Sequence, residues 1–141
     1  MTKKPATRES ATIVPEHRRG TFLPTLFGLP LTSKAENTVY DFMKRLSPTD
    51  YDGGYWNFYE FREQTPLFLA PASRPHYRIE SELTEHRGEV SAEVAGIVAT
   101  LLALADLTRR YESEFFEQRF YRLLIFSVRH PEAAEIARVT G

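Results

Sequence analysis

The strongest constraint on the fold is a dense aromatic segment in the first half of the chain. Six of the eleven residues from 51 to 61 are aromatic: Tyr51, Tyr55, Trp56, Phe58, Tyr59 and Phe61. Such a run is typical of a β-strand, and the turn sequence Asp52-Gly53-Gly54 marks where the strand begins. A period of two places Tyr55, Asn57, Tyr59 and Phe61 on one face and Trp56, Phe58 and Glu60 on the other. The chain must therefore form a sheet.

Three further segments have strand-like patterns. Leu67 to Ala70 is a short apolar run that ends at a proline. The alternation of apolar and polar residues from Tyr77 to Leu83 is typical of a half-buried strand. His86 to Val90 gives a weaker fourth candidate. We interpret these segments as antiparallel strands.

Helical patterns flank the strands. Ser33 and Glu36 have capping-box spacing, which predicts a helix that runs to Leu46 and ends at Ser47-Pro48. The glycines and prolines between Ile13 and Leu31 predict only brief regular structure there. The first helix therefore precedes the aromatic strand.

The second half of the chain is predicted to be helical. Ser91 is a good N-cap for an apolar helix that runs to about Arg110 and is covered on most sides. Another helix begins near Ser113 and stops before His130, and Pro131 occupies the first turn of a short last helix. The apolar stripe predicted for the helix after Ser113 comprises Phe116, Phe120, Leu123, Leu124 and Val128.

These elements predict the α+β class. We expect a small antiparallel sheet of three to four strands, covered by about four helices, in a single compact domain over residues 13–141. A chain of 141 residues is long enough to bury a core of its own. Residues 1–12, rich in Lys, Arg, Ser and Thr, are predicted to be a flexible N-terminal tail.

Charge and cysteine content exclude several classes of protein. Eighteen basic and nineteen acidic residues give a net charge of −1, which disfavours both bulk binding of nucleic acid and imitation of DNA. The lack of cysteine excludes disulfide scaffolds and thiolate chemistry. The N-terminus lacks the apolar core of a signal peptide, and the twelve-residue run Val94 to Ala105 is shorter than the roughly 20 residues of a membrane helix. We expect a cytoplasmic protein.

Catalytic motifs are absent from the sequence. The four histidines lie in separate segments without metal-ligand spacing, and neither a nucleophile motif nor a phosphate-binding loop is present. We predict no catalytic residue, no metal and no cofactor, and hence a protein that is not an enzyme. A small hydrolase built on Asp50, Asp52 and one histidine stays open, although aspartates at turns commonly cap their own backbone.

The aromatic segment itself has two interpretations. Aromatic strands can stack nucleic-acid bases, or they can cover a core and form a protein contact. Base-stacking strands usually contain Lys or Arg, and none occurs between Tyr51 and Phe61, which favours core or protein contact. Arg18 and Arg19, with basic residues of the tail, could touch phosphate weakly.

Several motifs resemble one known family. The sequence reads TIVPEHR at residues 12–18, FLP and LFG between residues 22 and 28, RLSP at residues 45–48 and YDGGYWNFY at residues 51–59. Later stretches are SA at residues 91–92, AGIVATL at residues 95–101 and HPEAA at residues 130–134. Over residues 12 to 140 the chain resembles the ArdB/KlcA antirestriction proteins.

The resemblance implies a compact α+β fold and a protein of plasmids and other mobile elements. Such a protein relieves restriction of incoming DNA by host type I restriction-modification complexes, contacted directly or indirectly, while methylation is spared. The alternative is a nucleic-acid-binding module that uses the strand Tyr55 to Phe61. The family supplies no catalytic motif. The final residues of this chain, Arg138-Val139-Thr140-Gly141, differ from the acidic tail of its relatives. The implied interaction candidates are Glu16, His17, Arg18, Asp52, Gly53, Gly54, Tyr55, Trp56, Asn57 and Tyr59.

Overall fold

The computed structural model describes residues 10–141, in which helices and short antiparallel strands are combined as the α+β prediction requires. The strands are β1 (Thr12–Ile13), β2 (Trp56–Phe61), β3 (Thr65–Pro71), β4 (His76–Glu80) and β5 (Arg87–Ser91). The helices are α1 (Arg19–Phe27), α2 (Thr32–Leu46), α3 (Ala92–Tyr111), α4 (Glu114–Val128) and α5 (Ala133–Thr140), and short 3-10 helices span Glu16–Arg18 and Arg62–Gln64. Of the predicted tail, residues 1–9 lie outside the described residues, and Thr12 belongs to β1.

The strands form two sheets instead of the single sheet expected. One has the order β1-β2-β3 and the other is the hairpin β4-β5, all pairs being antiparallel. The division arises because the free edge of β3 is occupied by α3. The Thr100 hydroxyl accepts a hydrogen bond from the Leu69 N–H at 3.4 Å and donates one to the Leu69 carbonyl at 3.3 Å. Strand β4 therefore cannot extend this sheet.

The predicted alternation in β2 is confirmed from Trp56 to Phe61. Trp56, Phe58 and Glu60 are buried, whereas the residues between them are half-buried. The inner face packs on α1 and α2, where Phe22 stacks on Phe58 at 4.6 Å between ring centroids. The outer face packs on α4, where the ring of Phe126 contacts that of Phe61 at 5.7 Å. The three-stranded sheet is thus covered by helices on both faces.

Helix α3 lies at the centre of the molecule, as predicted. Its N-cap is Ser91, whose hydroxyl accepts a hydrogen bond from the Val94 N–H at 3.1 Å. Gly96 faces β3 so closely that a Cβ atom there would overlap with Ala70 and lie 2.5 Å from the Leu69 carbonyl oxygen. The helix and strand can approach this far only because residue 96 has no side chain.

The helices before the aromatic strand differ from the sequence expectation. The capping box at Ser33 is wrong, because α2 begins at Thr32 and Glu36 instead accepts a hydrogen bond from the Tyr40 hydroxyl at 2.5 Å. Helix α1 is nine residues long despite Pro24. Its last carbonyls accept hydrogen bonds from the Arg119 guanidinium of α4, so a tertiary contact stabilises a segment with poor helical propensity.

Two smaller corrections concern the second half of the chain. The apolar stripe of α4 is rotated from the predicted one, because Leu124 and Val128 are exposed and Phe126 is buried against β2 and β3. The strand predicted to reach Leu83 ends at Glu80. There Ser81 turns inwards, and its hydroxyl donates to the Val139 carbonyl of α5 at 2.8 Å. The weaker strand predicted near His86 is confirmed as β5.

Candidate functional site

The first motif is joined to the aromatic strand by an ion pair. The Arg18 guanidinium donates two hydrogen bonds to the Glu60 carboxylate, with Nη1–Oε1 at 2.8 Å and Nη2–Oε2 at 2.5 Å. Glu60 is only 8% exposed. Sequence reasoning placed Glu60 on the face of Trp56 and Phe58 without assigning it a partner. The position of Glu60 on an otherwise apolar strand face was the signal for an ion pair, because a buried carboxylate without a cationic partner is costly.

This ion pair predicts a pH dependence of stability. The hydrogen bond from Arg18 holds the pKa of the Glu60 carboxyl below its ordinary value of 4.5. A lowered pKa in the folded state contributes stability that is present above the unfolded pKa and is lost as the pH falls through the folded value. Denaturant titrations from neutral pH to below pH 4.5 should show this loss, and Glu60→Gln should be less stable at neutral pH and lose less on acidification. An unchanged acid dependence in Glu60→Gln would contradict the assignment.

Arg19, which follows the first motif, lies within a stack of aromatic rings. Its guanidinium carbon is 4.0 Å from the centre of the Phe58 ring and 4.5 Å from that of Tyr55. The Phe58 ring stacks in turn on Phe22, one turn further along α1. Tyr55 precedes β2, and its ring contacts the α1 side instead of following the outer face predicted for it. Sequence reasoning treated Arg19 only as part of a basic N-terminus.

The turn before Tyr55 requires glycine at residue 54. Gly54 has a φ of +100°, and a Cβ atom there would overlap with the hydroxyl oxygen of Ser73. The Tyr55 carbonyl accepts a hydrogen bond from the Ala72 N–H at 2.8 Å, which fixes the backbone where the turn ends. The turn therefore holds Tyr55 in one position at the surface, beside the exposed Asp52.

Two polar residues beside the turn have structural partners. Trp56 is buried, and its indole N–H donates to the Tyr51 hydroxyl at 3.2 Å. Asp50 accepts a hydrogen bond from the Arg78 N–H at 2.8 Å and lies 3.6 Å from the Arg74 guanidinium. The Asp50 contacts join the loop to β4 and to the segment before it. The hydrogen bonds of Trp56 and Asp50 account for the presence of both residues without a catalytic role.

Asn57 and Tyr59 lie on the outer face of β2. The Tyr59 ring stacks on Phe68 at 4.5 Å between centroids. Burial first, and the nearby Glu93 carboxylate second, raise the pKa of the Tyr59 hydroxyl, while a hydrogen bond with Asn57 acts in the opposite direction. Asn57 and Tyr59 are both half-buried on this face.

Next to this face, His130 joins three helices. Its side chain is almost fully buried at the end of α4, and Nε2 lies 2.6 Å from the Glu93 carboxylate of α3. Nδ1 accepts a hydrogen bond from the backbone N–H of Glu132 at 2.9 Å. Because Nδ1 accepts, the proton lies on Nε2, which donates to Glu93. Both ring nitrogens are thus occupied by structural bonds.

The structure separates the sequence candidates into two groups. Arg18 and Arg19 bring the first motif, with its exposed residues Glu16 and His17, to the inner side of β2 and the turn at residues 52–55. Asn57 and Tyr59 lie on the opposite face, and Trp56 is in the core. Only the first group combines exposure with a rigid support. This arrangement is typical of a protein contact surface.

The described part of the chain contains neither a cluster of metal-ligating side chains nor a membrane-spanning helix. Within residues 10–141, no three His, Asp or Glu side chains are grouped so that they could hold a metal ion. In the same range no helix combines the length and the apolar character needed to cross a bilayer.

The fold and the motifs are those of an antirestriction protein. The chain belongs to the antirestriction protein family, whose model matches residues 49–140. Two proteins of Escherichia coli described as antirestriction protein KlcA are each 38% identical, over 133 and 134 residues, covering 92% and 91% of this chain and 92% and 90% of their own. The uncharacterized protein YafX of E. coli K12 is 31% identical over 92% of this chain and 86% of its own.

A solved structure extends the similarity to the whole fold. It matches with a TM-score of 0.84 and 36% identity, and covers 100% of this chain and 99% of its own. That structure belongs to work on the KlcA and ArdB proteins, described as having a novel fold and antirestriction activity against Type I DNA restriction systems in vivo but not in vitro. The resemblance inferred from the motifs is confirmed.

Proposed function

We propose that this protein relieves the restriction of incoming plasmid or mobile-element DNA by host type I restriction-modification systems, leaves methylation intact and acts in the bacterial cytoplasm. The observation that carries the proposal is the similarity to KlcA and ArdB over nearly the whole chain in both sequence and fold. Their activity against type I systems is the property that we extend to this chain.

The proposed mode of action is contact with a protein. A net charge of −1 gives the chain no means of copying the charge of DNA. The exposed first motif and the exposed turn at residues 52–55 offer a contact surface instead. Because the relatives act in vivo but not in vitro, the partner is the restriction complex in its cellular state, reached directly or through another component of the cell.

We also propose that the protein is not an enzyme. Two of the candidates for acid-base chemistry have structural partners: His130 is bonded at both ring nitrogens, and Asp50 binds the backbone of Arg78. A hydrolase built on Asp50 and Asp52 would need both carboxylates available to a substrate. Inhibition by contact requires no such group.

The alternative of a nucleic-acid-binding strand receives less support. A stacking platform needs several exposed rings along one strand. Trp56 and Phe58 are buried, Tyr59 and Phe61 are half-buried against other rings, and Tyr55 alone of these five aromatics is more than half exposed. The geometry therefore favours contact with a protein.

Restriction in living cells tests the proposed function. Unmodified phage should plate more efficiently on a type I host that expresses this protein than on the same host without it, and methylation of the recognition sites should be unchanged. A host that lacks the type I system provides the control, because plating there should not respond to the protein. Unchanged plating across several type I systems would refute the proposal, and loss of methylation as well would indicate that recognition of DNA is blocked.

A further inference from the structure

We infer that Tyr55 is the anchor by which this protein contacts a subunit of the type I complex, and that Arg19 is the residue that positions it. The inference rests on the proposed function and adds the residues and the chemistry of the contact. The outer face of the Tyr55 ring would stack against a planar group of the partner, either an aromatic side chain or a peptide group.

The first argument is the rigidity of the ring. Phe22, Phe58, the Arg19 guanidinium and Tyr55 lie in layers, with separations of 4.6, 4.0 and 4.5 Å along the series. The innermost two rings are buried in the core. The Tyr55 ring is thus supported from below through Arg19, and its backbone is fixed by the hydrogen bond from the Ala72 N–H. A side chain that is already ordered loses little entropy on binding, which is the property of an interface anchor.

The second argument is exposure. Tyr55 is 53% exposed although one face of its ring is covered by Arg19. Tyrosine is among the residues most often found at the energetic centre of protein interfaces. One face of the ring covers the Arg19 guanidinium, and the exposed remainder is not needed to close the core, because Phe58 is already buried beneath Arg19.

The third argument is the unusual state of Arg19. Its Nη1 atom is buried and has no hydrogen-bond partner among the described residues. A buried N–H without a partner is costly, so the position of the guanidinium is determined by its contacts with the two rings. A cation beneath the Tyr55 ring draws electron density away from the outer face. That face then favours an electron-rich planar group.

The charges around Tyr55 favour a protein over a nucleic acid. Arg18 is bound to Glu60, and Arg19 lies beneath the ring, so neither is free to bind phosphate. The exposed acidic residues Glu16 and Asp52 belong to the same two segments and would repel a phosphate backbone. A protein surface is compatible with this mixture of charges.

Substitutions at Tyr55 test the inference, and Tyr121 supplies the matched control. Tyr121 is also 53% exposed but lies on α4. We expect Tyr55→Ala to reduce the relief of restriction by about tenfold or more, as truncation of an interface anchor does. Tyr55→Phe should retain relief because the ring is preserved, and Tyr121→Ala should retain it too. All variants should melt near the wild-type temperature, which establishes that each is folded.

Arg19 is tested through its coupling to Tyr55. Arg19→Met should reduce relief, whereas Arg19→Met in the Tyr55→Ala background should cause no further loss, because a positioning residue has no role once the ring is gone. A merely structural role would add its effect in both backgrounds and lower the melting temperature. Additive losses would therefore overturn the assignment of Arg19.

Photo-cross-linking in cells identifies the partner without relying on activity. A photoreactive phenylalanine analogue at position 55 should cross-link to a tagged subunit of the type I complex, and the same analogue at position 121 should not. Cross-links to nucleic acid, or to no subunit of the complex, would overturn the inference, as would full relief by Tyr55→Ala. If the wild-type protein gives no relief, the proposed function fails, and the cross-link still decides whether Tyr55 meets the complex.

Discussion

Replacing Gly96 by alanine is expected to cost about 3 kcal/mol of stability or more, the upper range for overpacking of a core. The added methyl group would overlap with the Cα and Cβ atoms of Ala70, and the neighbouring Leu69 carbonyl oxygen is 2.5 Å away. Backbone atoms of a central strand cannot give way as a flexible side chain can. The helix propensity of alanine, which is worth about 1 kcal/mol relative to glycine, is too small to compensate. Thermal and denaturant unfolding measure the loss.

Gly20 provides the control for this substitution. It also lies in a helix, α1, but no atom lies within 4 Å of the position that its Cβ would occupy. Gly20→Ala should leave stability unchanged or raise it slightly. Equal stability of Gly96→Ala and the wild type would mean that α3 and β3 can separate at low cost, contrary to the close contact described.

Replacing His130 by alanine is the second substitution with a large expected effect, also about 3 kcal/mol. The change removes a buried ring, leaves the Glu132 N–H without its acceptor, and deprives the Glu93 carboxylate of its donor. Helices α3, α4 and α5 would lose the side chain that joins them. Denaturant unfolding should show a lower midpoint.

His76→Ala is the matched control, because His76 is exposed on β4. Its loss should change stability by less than about 0.5 kcal/mol, the usual range for surface positions. If the two histidine variants were equally stable, the bonds of His130 would contribute nothing measurable. A glutamine at residue 130, which keeps polar atoms but not the ring, should be intermediate.

Local patterns in the sequence predicted local structure well. The alternation of β2 and the cap at Ser91 depend on residues that are neighbours in the chain, and both are as expected. The capping box at Ser33 failed because its glutamate found a better partner in the Tyr40 hydroxyl, one turn further along the same helix. The spacing of Ser33 and Glu36 in the sequence does not show that another side chain competes for the hydrogen bond of the glutamate.

The candidate site was predicted in part. The motif that contains Tyr55 could be recognised, but its orientation could not, because the ring is placed by Arg19 from another element 36 positions earlier. The same holds for Glu60 and Arg18, which are 42 positions apart, and for His130 and Glu93, which are 37 apart. Pairing at such distances is decided by packing, for which a single sequence carries no periodic signal.

The contact of Thr100 with the edge of β3 has a consequence for the behaviour of the protein at high concentration. An uncovered apolar edge strand is a template on which other chains assemble into aggregates. The apolar run Leu67-Phe68-Leu69-Ala70 would be such a template if α3 did not cover its edge. The hydroxyl of Thr100 occupies the backbone groups of Leu69 that an incoming strand would use. Variants that weaken the packing of α3 on β3 should therefore aggregate on expression and have a lower melting temperature. Helix α3 thus protects the edge of β3 from pairing with other chains.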